Sequence, residues 1–141
     1  MNRREKRSRG WLLFAAVFLG CMISGCSVEE TNRTKVADIE YSIVEEDQIP
    51  EELLGMIEEK KAADFKMTYE LEEDLYIVRG YGEQATGGYS IRIKACYLTS
   101  NAVLFDTELI GPRKGENAAA SPSYPYIVVK MKNQEQSTIF E

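Results

Sequence analysis

Six segments of the chain carry the apolar–polar alternation or the β-branched runs that predict β-strands. In the first, Ile39, Tyr41 and Ile43 fall on one face, which predicts a half-buried strand. The later segments are separated by charged, polar or glycine-containing turns and loops, as in antiparallel pairing. The predicted strands are 38–45, 65–71, 75–81, 89–98, 102–110 and 126–131.

One segment follows a helical period instead. Pro50 suits a first helical position, because its missing N–H would have no partner there. Leu53, Leu54 and Ile57 then form an apolar stripe, which predicts a helix from Pro50 to about Ala63. Such a stripe either covers a sheet or binds a partner, and the first is commoner. The pattern predicts an α+β fold, with one short helix packed on a mainly antiparallel sheet of about six strands. We expect this domain to span 37–132 and the tail 133–141 to be frayed.

The N-terminal segment has the organisation of an export signal. Five basic residues lie between Arg3 and Arg9, and an apolar run follows from Trp11 to Ile23. A membrane-spanning helix needs about 20 apolar residues. This run is shorter, which favours a cleaved signal peptide at 1–25 over a permanent anchor.

The end of the apolar run resembles the lipobox of bacterial lipoproteins. Ile23, Ser24 and Gly25 precede Cys26, the residue that would be lipidated and become the new N-terminus. Cys21 is a competing match, and an ordinary signal peptide with incidental cysteines is the alternative. Lipidation of Cys26 predicts a protein anchored at the extracytoplasmic face of the cell membrane, with 26–36 as a lipidated N-terminus and flexible tether.

Composition narrows the possible chemistry. The 141-residue chain has no histidine, which excludes Ser-His-Asp and Cys-His catalytic arrangements and histidine-ligated metals. Its formal charge is −6, and removal of residues 1–25 would leave 116 residues with a charge of −10. An acidic chain without a basic stripe is a poor nucleic-acid binder. We therefore expect no enzyme activity, no cofactor, no metal and no nucleic-acid partner.

Two motifs interrupt the predicted strands. The first comprises Gly82, Thr86, Gly87, Gly88, Tyr89 and Ser90, and the second comprises Tyr124, Pro125 and Tyr126. Paired glycines at the start of a strand permit a bulge or a close backbone approach, and Pro125 marks a strand entry or an edge. Together the motifs resemble the C-terminal domain family of the protease complex subunit PrcB, over about 75–131.

The resemblance implies a small secreted or lipid-anchored protein. The family's namesake is a lipoprotein that associates with and stabilises a surface protease, and many relatives have no demonstrated activity. The basic residues Arg113 and Lys114 in the loop between the motifs depart from the family pattern. A partner that contacts this loop would differ from the namesake's.

Several residues have both a functional and a structural interpretation. The glycines of the first motif could expose N–H groups to a ligand, but a strand-entry bulge with Tyr89 in the core is commoner. Cys96 could be a reactive thiol, but a half-buried strand residue is favoured. The run 72–74 could bind Ca²⁺, but a solvated turn is favoured. Five tyrosines could form a ligand platform, although core packing is favoured: Tyr81, Tyr89, Tyr97, Tyr124 and Tyr126.

Two functional hypotheses remain. The first is a non-catalytic interaction module that docks on a secreted protease or another envelope protein, with the edge at Pro125 as one docking route. The second is a lipoprotein that binds a small ligand or the cell wall. A concave pocket rimmed by Tyr89, Tyr124 and the loop 111–123 would favour the second hypothesis.

Overall fold

Two four-stranded sheets and one helix form three layers in the computed structural model, which describes residues 32–141. One sheet has the order β1-β5-β6-β8 and the other β2-β7-β4-β3. The elements are β1 (Ala37–Asp38), β2 (Ser42–Ile43), a 3-10 helix (Glu46–Gln48), α1 (Glu51–Lys60), β3 (Asp64–Leu71), β4 (Asp74–Tyr81), β5 (Ser90–Leu98), β6 (Ala102–Ile110), β7 (Tyr126–Lys132) and β8 (Ser137–Phe140).

The α+β class is confirmed, but the single sheet of about six strands is wrong. The main core lies between two sheets, where Ile77 and Val129 from one sheet meet Val103 and Phe105 from the other. Pairing within the sheets is antiparallel except between β6 and β8, which run parallel. The alternating pattern of single strands could not separate one sheet from two, because it records only which face of each strand is buried.

The helix α1 covers the outer face of the second sheet. Leu53 and Ile57 are fully buried there against Tyr76, Val78 and other residues of the sheet. The central strand β4 is therefore covered on both faces, by the other sheet and by the helix. This explains its continuous apolar run, in contrast to the alternation of β5. Pro50 caps the helix rather than opening it, and the carbonyl of Pro50 accepts from the Leu54 N–H.

The predicted strand 38–45 is replaced by two short edge strands. Residues 37–38 pair with β5 in one sheet, and residues 42–43 pair with β7 in the other. The chain crosses between the sheets at residues 39–41. Ile39 packs on the main core, whereas Tyr41 and Ile43 are exposed, so the three side chains do not share a buried face.

The C-terminal tail is ordered as β8 rather than frayed. Its residues 137–140 pair with β6, and the Phe140 ring lies edge-on to Phe105, with the ring centroids 6.1 Å apart. The chain reaches this position after passing through β7 in the opposite sheet, so β8 enters parallel to β6. A four-residue terminal strand with no clear alternation gave too little signal to be recognised.

The N-terminal boundary of the folded part also precedes residue 37. The Val36 N–H donates to the Leu98 carbonyl, and the Tyr97 hydroxyl donates to the Arg33 carbonyl. Arg33 forms an ion pair with Glu141 at 2.7 Å. Part of the predicted tether therefore lies on the domain. The predicted signal peptide, Cys26 and tether residues 26–31 lie outside the described residues.

Candidate functional site

The two sequence motifs meet at one end of the sheets. Gln84 and Ser123 form an antiparallel bridge, in which each backbone N–H donates to the other's carbonyl at 2.8 and 3.0 Å. The Ser123 hydroxyl also donates to the Thr86 carbonyl at 2.6 Å. The tertiary structure thus brings the two motifs into direct contact, although about 30 residues separate them in sequence.

The N–H of Gly87 is used inside this arrangement. It donates to the Ala119 carbonyl at 2.9 Å, so it is not presented to an external ligand. The adjacent Gly88 has φ 84°, and Pro112 lies directly beside its Cα. These contacts agree with the structural interpretation of the paired glycines, a turn that packs against the loop 111–123.

Tyr89 and Ser90 complete the entry into β5. Tyr89 is half-buried, and its ring lies beside Gly111 at the end of β6. Ser90 is exposed and is the first residue of the strand, paired with Ile110. Gly82, at the other end of the motif, is buried with φ 75°. The first motif therefore mainly shapes the loop that leads from β4 into β5.

Pro125 immediately precedes β7, as the sequence predicted. Its carbonyl accepts from the Tyr81 N–H at 3.0 Å, but it has no N–H with which to return a bond to the Tyr81 carbonyl. The side-chain amide of Gln84 donates to that carbonyl at 3.1 Å. Gln84 therefore replaces the ladder bond that proline cannot make.

The two tyrosines of the second motif face the helix layer. The Lys61 ammonium lies 5.5 Å from the centroid of the Tyr124 ring, and the Tyr124 hydroxyl is 3.4 Å from Glu83. Tyr126 packs with the residues under α1. Burial, followed by the negative charges of Glu46 and Glu58, raises the pKa of Tyr126. The nearby carboxylates therefore favour the protonated phenol of Tyr126.

A groove of about 350 Å³ runs along the outer edge of β7 at this motif. One wall is formed by residues 124–128, and the other by residues 43–46 with Ile49. Apolar side chains and two carboxylates line it, among them Val44, Ile49, Glu45 and Glu46.

The five tyrosines do not form one platform. Tyr81 points between the sheets, where its hydroxyl is 2.6 Å from the Thr107 hydroxyl. Tyr126 packs on the opposite face of its sheet, which the helix covers. The Tyr97 hydroxyl donates a hydrogen bond to the Arg33 carbonyl near the N-terminal edge. The aromatic rings therefore serve separate packing positions.

Sequence reasoning missed a buried arginine beside the site. Arg79 is 9% exposed, and its guanidinium contacts both Asp64 carboxylate oxygens at 3.0 and 3.3 Å. It also donates to the Gly80 carbonyl and stacks 4.0 Å from the centroid of the Tyr81 ring. Its Nε is buried without a hydrogen-bond partner among residues 32–141. In the sequence, this buried arginine was indicated by its single positive charge inside the apolar run of β4.

The thiol of Cys96 is half-buried against the main core, as the structural interpretation predicted. Burial raises the pKa of Cys96 to about 11, so the thiol stays protonated at neutral pH. Glu72 and Glu73 of the charged run at 72–74 connect β3 to β4, and Asp74 begins β4. Glu73 and Asp74 both form ion pairs with Lys132.

Residues 32–141 contain neither a candidate metal site nor a candidate membrane-spanning helix. No group of three or more cysteine or carboxylate side chains in this range is placed to hold a metal ion. None of the helices described has the length and apolar character needed to cross a bilayer.

Comparison with known proteins identified one relationship. No curated protein and no solved structure matches the chain. A family model described as PrcB C-terminal matches residues 75–132, from β4 through β7. The matched region contains both motifs and the contacts between them, and it confirms the resemblance that the motifs predicted: residues 75–132 of this chain are similar to the PrcB C-terminal family.

Proposed function

We propose that this protein is a lipid-anchored, non-catalytic binding module on the extracytoplasmic face of the cell membrane. It docks on a secreted protease or on another protein of the cell envelope. The observation that carries this proposal is the match of residues 75–132 to the PrcB C-terminal family, which hints at a protease-associated module. The groove beside Tyr126 gives such a module a surface on which a protein could dock.

The anchor is inferred from the residues around Cys26. Labelling of growing cells with an alkyne fatty acid is expected to mark the wild-type protein and the Cys21→Ser variant, but not the Cys26→Ser variant. Cys21 is the matched control, because it lies in the same apolar run and is the competing lipobox cysteine. Loss of label from the Cys21→Ser variant alone would show that the lipid is attached to Cys21 instead of Cys26.

The non-catalytic role is supported by the state of the available nucleophiles. The Cys96 thiol has a raised pKa of about 11 and lies against the core, so it is a poor nucleophile near neutral pH. The Gly87 N–H is bonded to Ala119, so it does not serve as part of an oxyanion hole.

Isolation from native membranes tests the docking. The tagged full-length protein is solubilised in mild detergent, and Cys26→Ser protein from the same cells is the control for anchoring. We expect one protein partner in amounts comparable to the bait, recovered with the anchored form. If the anchored protein is isolated without a protein partner, the proposed role as an interaction module is wrong.

The alternative of a small-ligand or cell-wall-binding lipoprotein has less support. It would use a pocket rimmed by Tyr89, Tyr124 and the loop 111–123. The groove includes Tyr124 but is lined by neither Tyr89 nor that loop, and Gly111 packs against the Tyr89 ring. Saturable binding of soluble muropeptides, measured by calorimetry, would favour this alternative over protein docking.

A further inference from the structure

The outer edge of β7 offers backbone groups to an incoming chain. Residues of an antiparallel strand direct their N–H and C=O alternately to the two neighbours. Ser123 pairs with Gln84 and Pro125 with Tyr81, so these two residues face β4 and its extension. Tyr124 and Tyr126 consequently direct their N–H and C=O the other way, into the groove.

The chain's own neighbouring strand stops before it reaches these groups. Ser42 pairs with Lys130, and the Val44 N–H donates to the Val128 carbonyl at 2.8 Å. The next hydrogen-bonded position along this register would place residue 46 opposite Tyr126. Residues 46–48 instead turn away as a 3-10 helix, which opens the groove between the two segments.

The groove has a distinct chemical character. Val44, Ile49 and the half-buried Tyr126 supply apolar surface along its helix-facing side. Glu45 and Glu46 line it with exposed carboxylates, and neither has an ion-pair partner within 4.0 Å among residues 32–141. A strand that brings a positive charge would complement this surface.

Another open edge in the fold is protected against pairing. β1 covers only the last two residues of β5, which leaves the earlier part of that edge free. That part contains a bulge between Ile93 and Ala95, and exposed Arg92 and Lys94 side chains. Bulges and charged side chains, lysine above all, discourage strand addition. The edge at residues 124–126 has neither a bulge nor a charged side chain, and Pro125 faces β4 rather than the groove, so it is the better docking edge of the two.

We propose that the groove binds an extended peptide segment of the protein partner as an added strand alongside Tyr126. The segment carries a lysine or arginine that contacts Glu45 and Glu46, and an apolar side chain against Val44 and Ile49. Backbone hydrogen bonds to Tyr124 and Tyr126 supply affinity, and the two side-chain contacts supply specificity. This inference rests on the proposed function, because it names the surface and the peptide chemistry of that docking.

Synthetic peptides test the mode of binding directly. The probe is a fluorescent peptide of about six residues that alternates lysine and valine. One control peptide alternates glutamate and valine, and a second keeps lysine and valine but is N-methylated at every residue, so that neither edge offers an N–H donor. The full chain is expected to bind the first peptide, and to bind the N-methylated peptide about tenfold more weakly because its donors are missing. Equal binding of the lysine and N-methylated peptides, or no binding of the lysine peptide, would overturn strand addition.

Charge reversal tests the position of the site. The double variant Glu45→Lys, Glu46→Lys is expected to bind the lysine peptide about tenfold more weakly. The matched control, Glu59→Lys with Glu70→Lys, changes the net charge equally at exposed positions outside the groove and is expected to retain binding. An equal loss of peptide binding in both double variants would show that binding depends on the overall charge of the protein. That result would overturn the proposed position of the site.

The same variants in the membrane isolation separate this inference from the proposed function. If the wild-type protein recovers a partner and the Glu45→Lys, Glu46→Lys variant does not, the groove is the docking surface. If both recover it equally, the groove proposal fails and the proposed function stands. If the wild-type protein recovers only a second copy of itself, and sedimentation shows a dimer that the groove variant loses, the occupant is this chain and the partner peptide is overturned.

Discussion

Gly88 and Pro112 are packed against each other so closely that a Cβ atom on residue 88 would lie 2.9 Å from the Pro112 Cβ. Gly88 also has φ 84°, a conformation that other L-residues adopt only with strain. The neighbouring Gly87 differs, because its added Cβ would make an ordinary contact with the Ala119 Cβ at 3.4 Å. The two glycines of the motif therefore have unequal structural roles.

Replacement of each glycine by alanine should reveal this inequality. We expect Gly88→Ala to lower the free energy of unfolding by about 1–2 kcal/mol or more, from the positive φ and the Pro112 contact. Gly87→Ala should change it by only about 0.5 kcal/mol, in either direction. Urea denaturation of the purified variants measures both values. Equal losses of unfolding free energy in the two variants would show that neither the positive φ of Gly88 nor its contact with Pro112 sets the two glycines apart.

The amide of Gln84 should be coupled to the proline at position 125. Gln84→Ala leaves the Tyr81 carbonyl without its side-chain donor and should cost about 1 kcal/mol of stability. In a Pro125→Ala background the new backbone N–H can donate to that carbonyl, so the same substitution should cost much less. A double-mutant cycle by urea denaturation measures the coupling. Additive effects would mean that the amide does not replace the ladder bond.

The terminal strand should contribute to global stability. Phe140→Ala removes a half-buried ring that packs on Phe105, and we expect a loss of about 2 kcal/mol. The matched control Ser137→Ala changes an exposed residue of the same strand and should stay within about 0.5 kcal/mol. Thermal or urea unfolding gives both values. A neutral Phe140→Ala would indicate that the tail does not add to the core in solution.

The Cys96 thiol should make stability fall at high pH. Its pKa in the folded protein is raised by burial from the ordinary 9.0 to about 11. Between these values the unfolded chain releases the proton while the folded protein keeps it, so rising pH favours unfolding. The Tm difference between the wild-type protein and Cys96→Ala should be constant below pH 8 and shrink from pH 9 to 11. The tyrosines titrate in both proteins, so the comparison isolates the thiol.

Reactivity gives a second measure of the same thiol. In a Cys21→Ser, Cys26→Ser background, Cys96 should react with Ellman's reagent at pH 8 far more slowly than in the same protein unfolded in urea. A folded-state rate equal to the unfolded-state rate would contradict the buried, protonated thiol.

Elements with a strong local pattern could be predicted from the amino-acid sequence. The alternation of β5, the helical stripe of Leu53 and Ile57, and the entry of β7 after Pro125 were all predicted close to their observed bounds. The motif around Gly87 and Gly88, taken together with Tyr124, Pro125 and Tyr126, was sufficient to indicate the family resemblance that the comparison confirms over residues 75–132. These features depend on neighbouring residues in the chain, so sequence reports them directly.

The features that depend on contacts between distant residues are visible only in the tertiary structure. It divided the strands between two sheets, split the segment around Ile39 between them, and gave residues 137–140 a partner in β6. It also paired Gln84 with the Tyr81 carbonyl and turned residues 46–48 away from Tyr126, which opened the groove. The period of a strand records which of its faces is buried, but it does not record which strand or layer covers that face, and this choice created the candidate site.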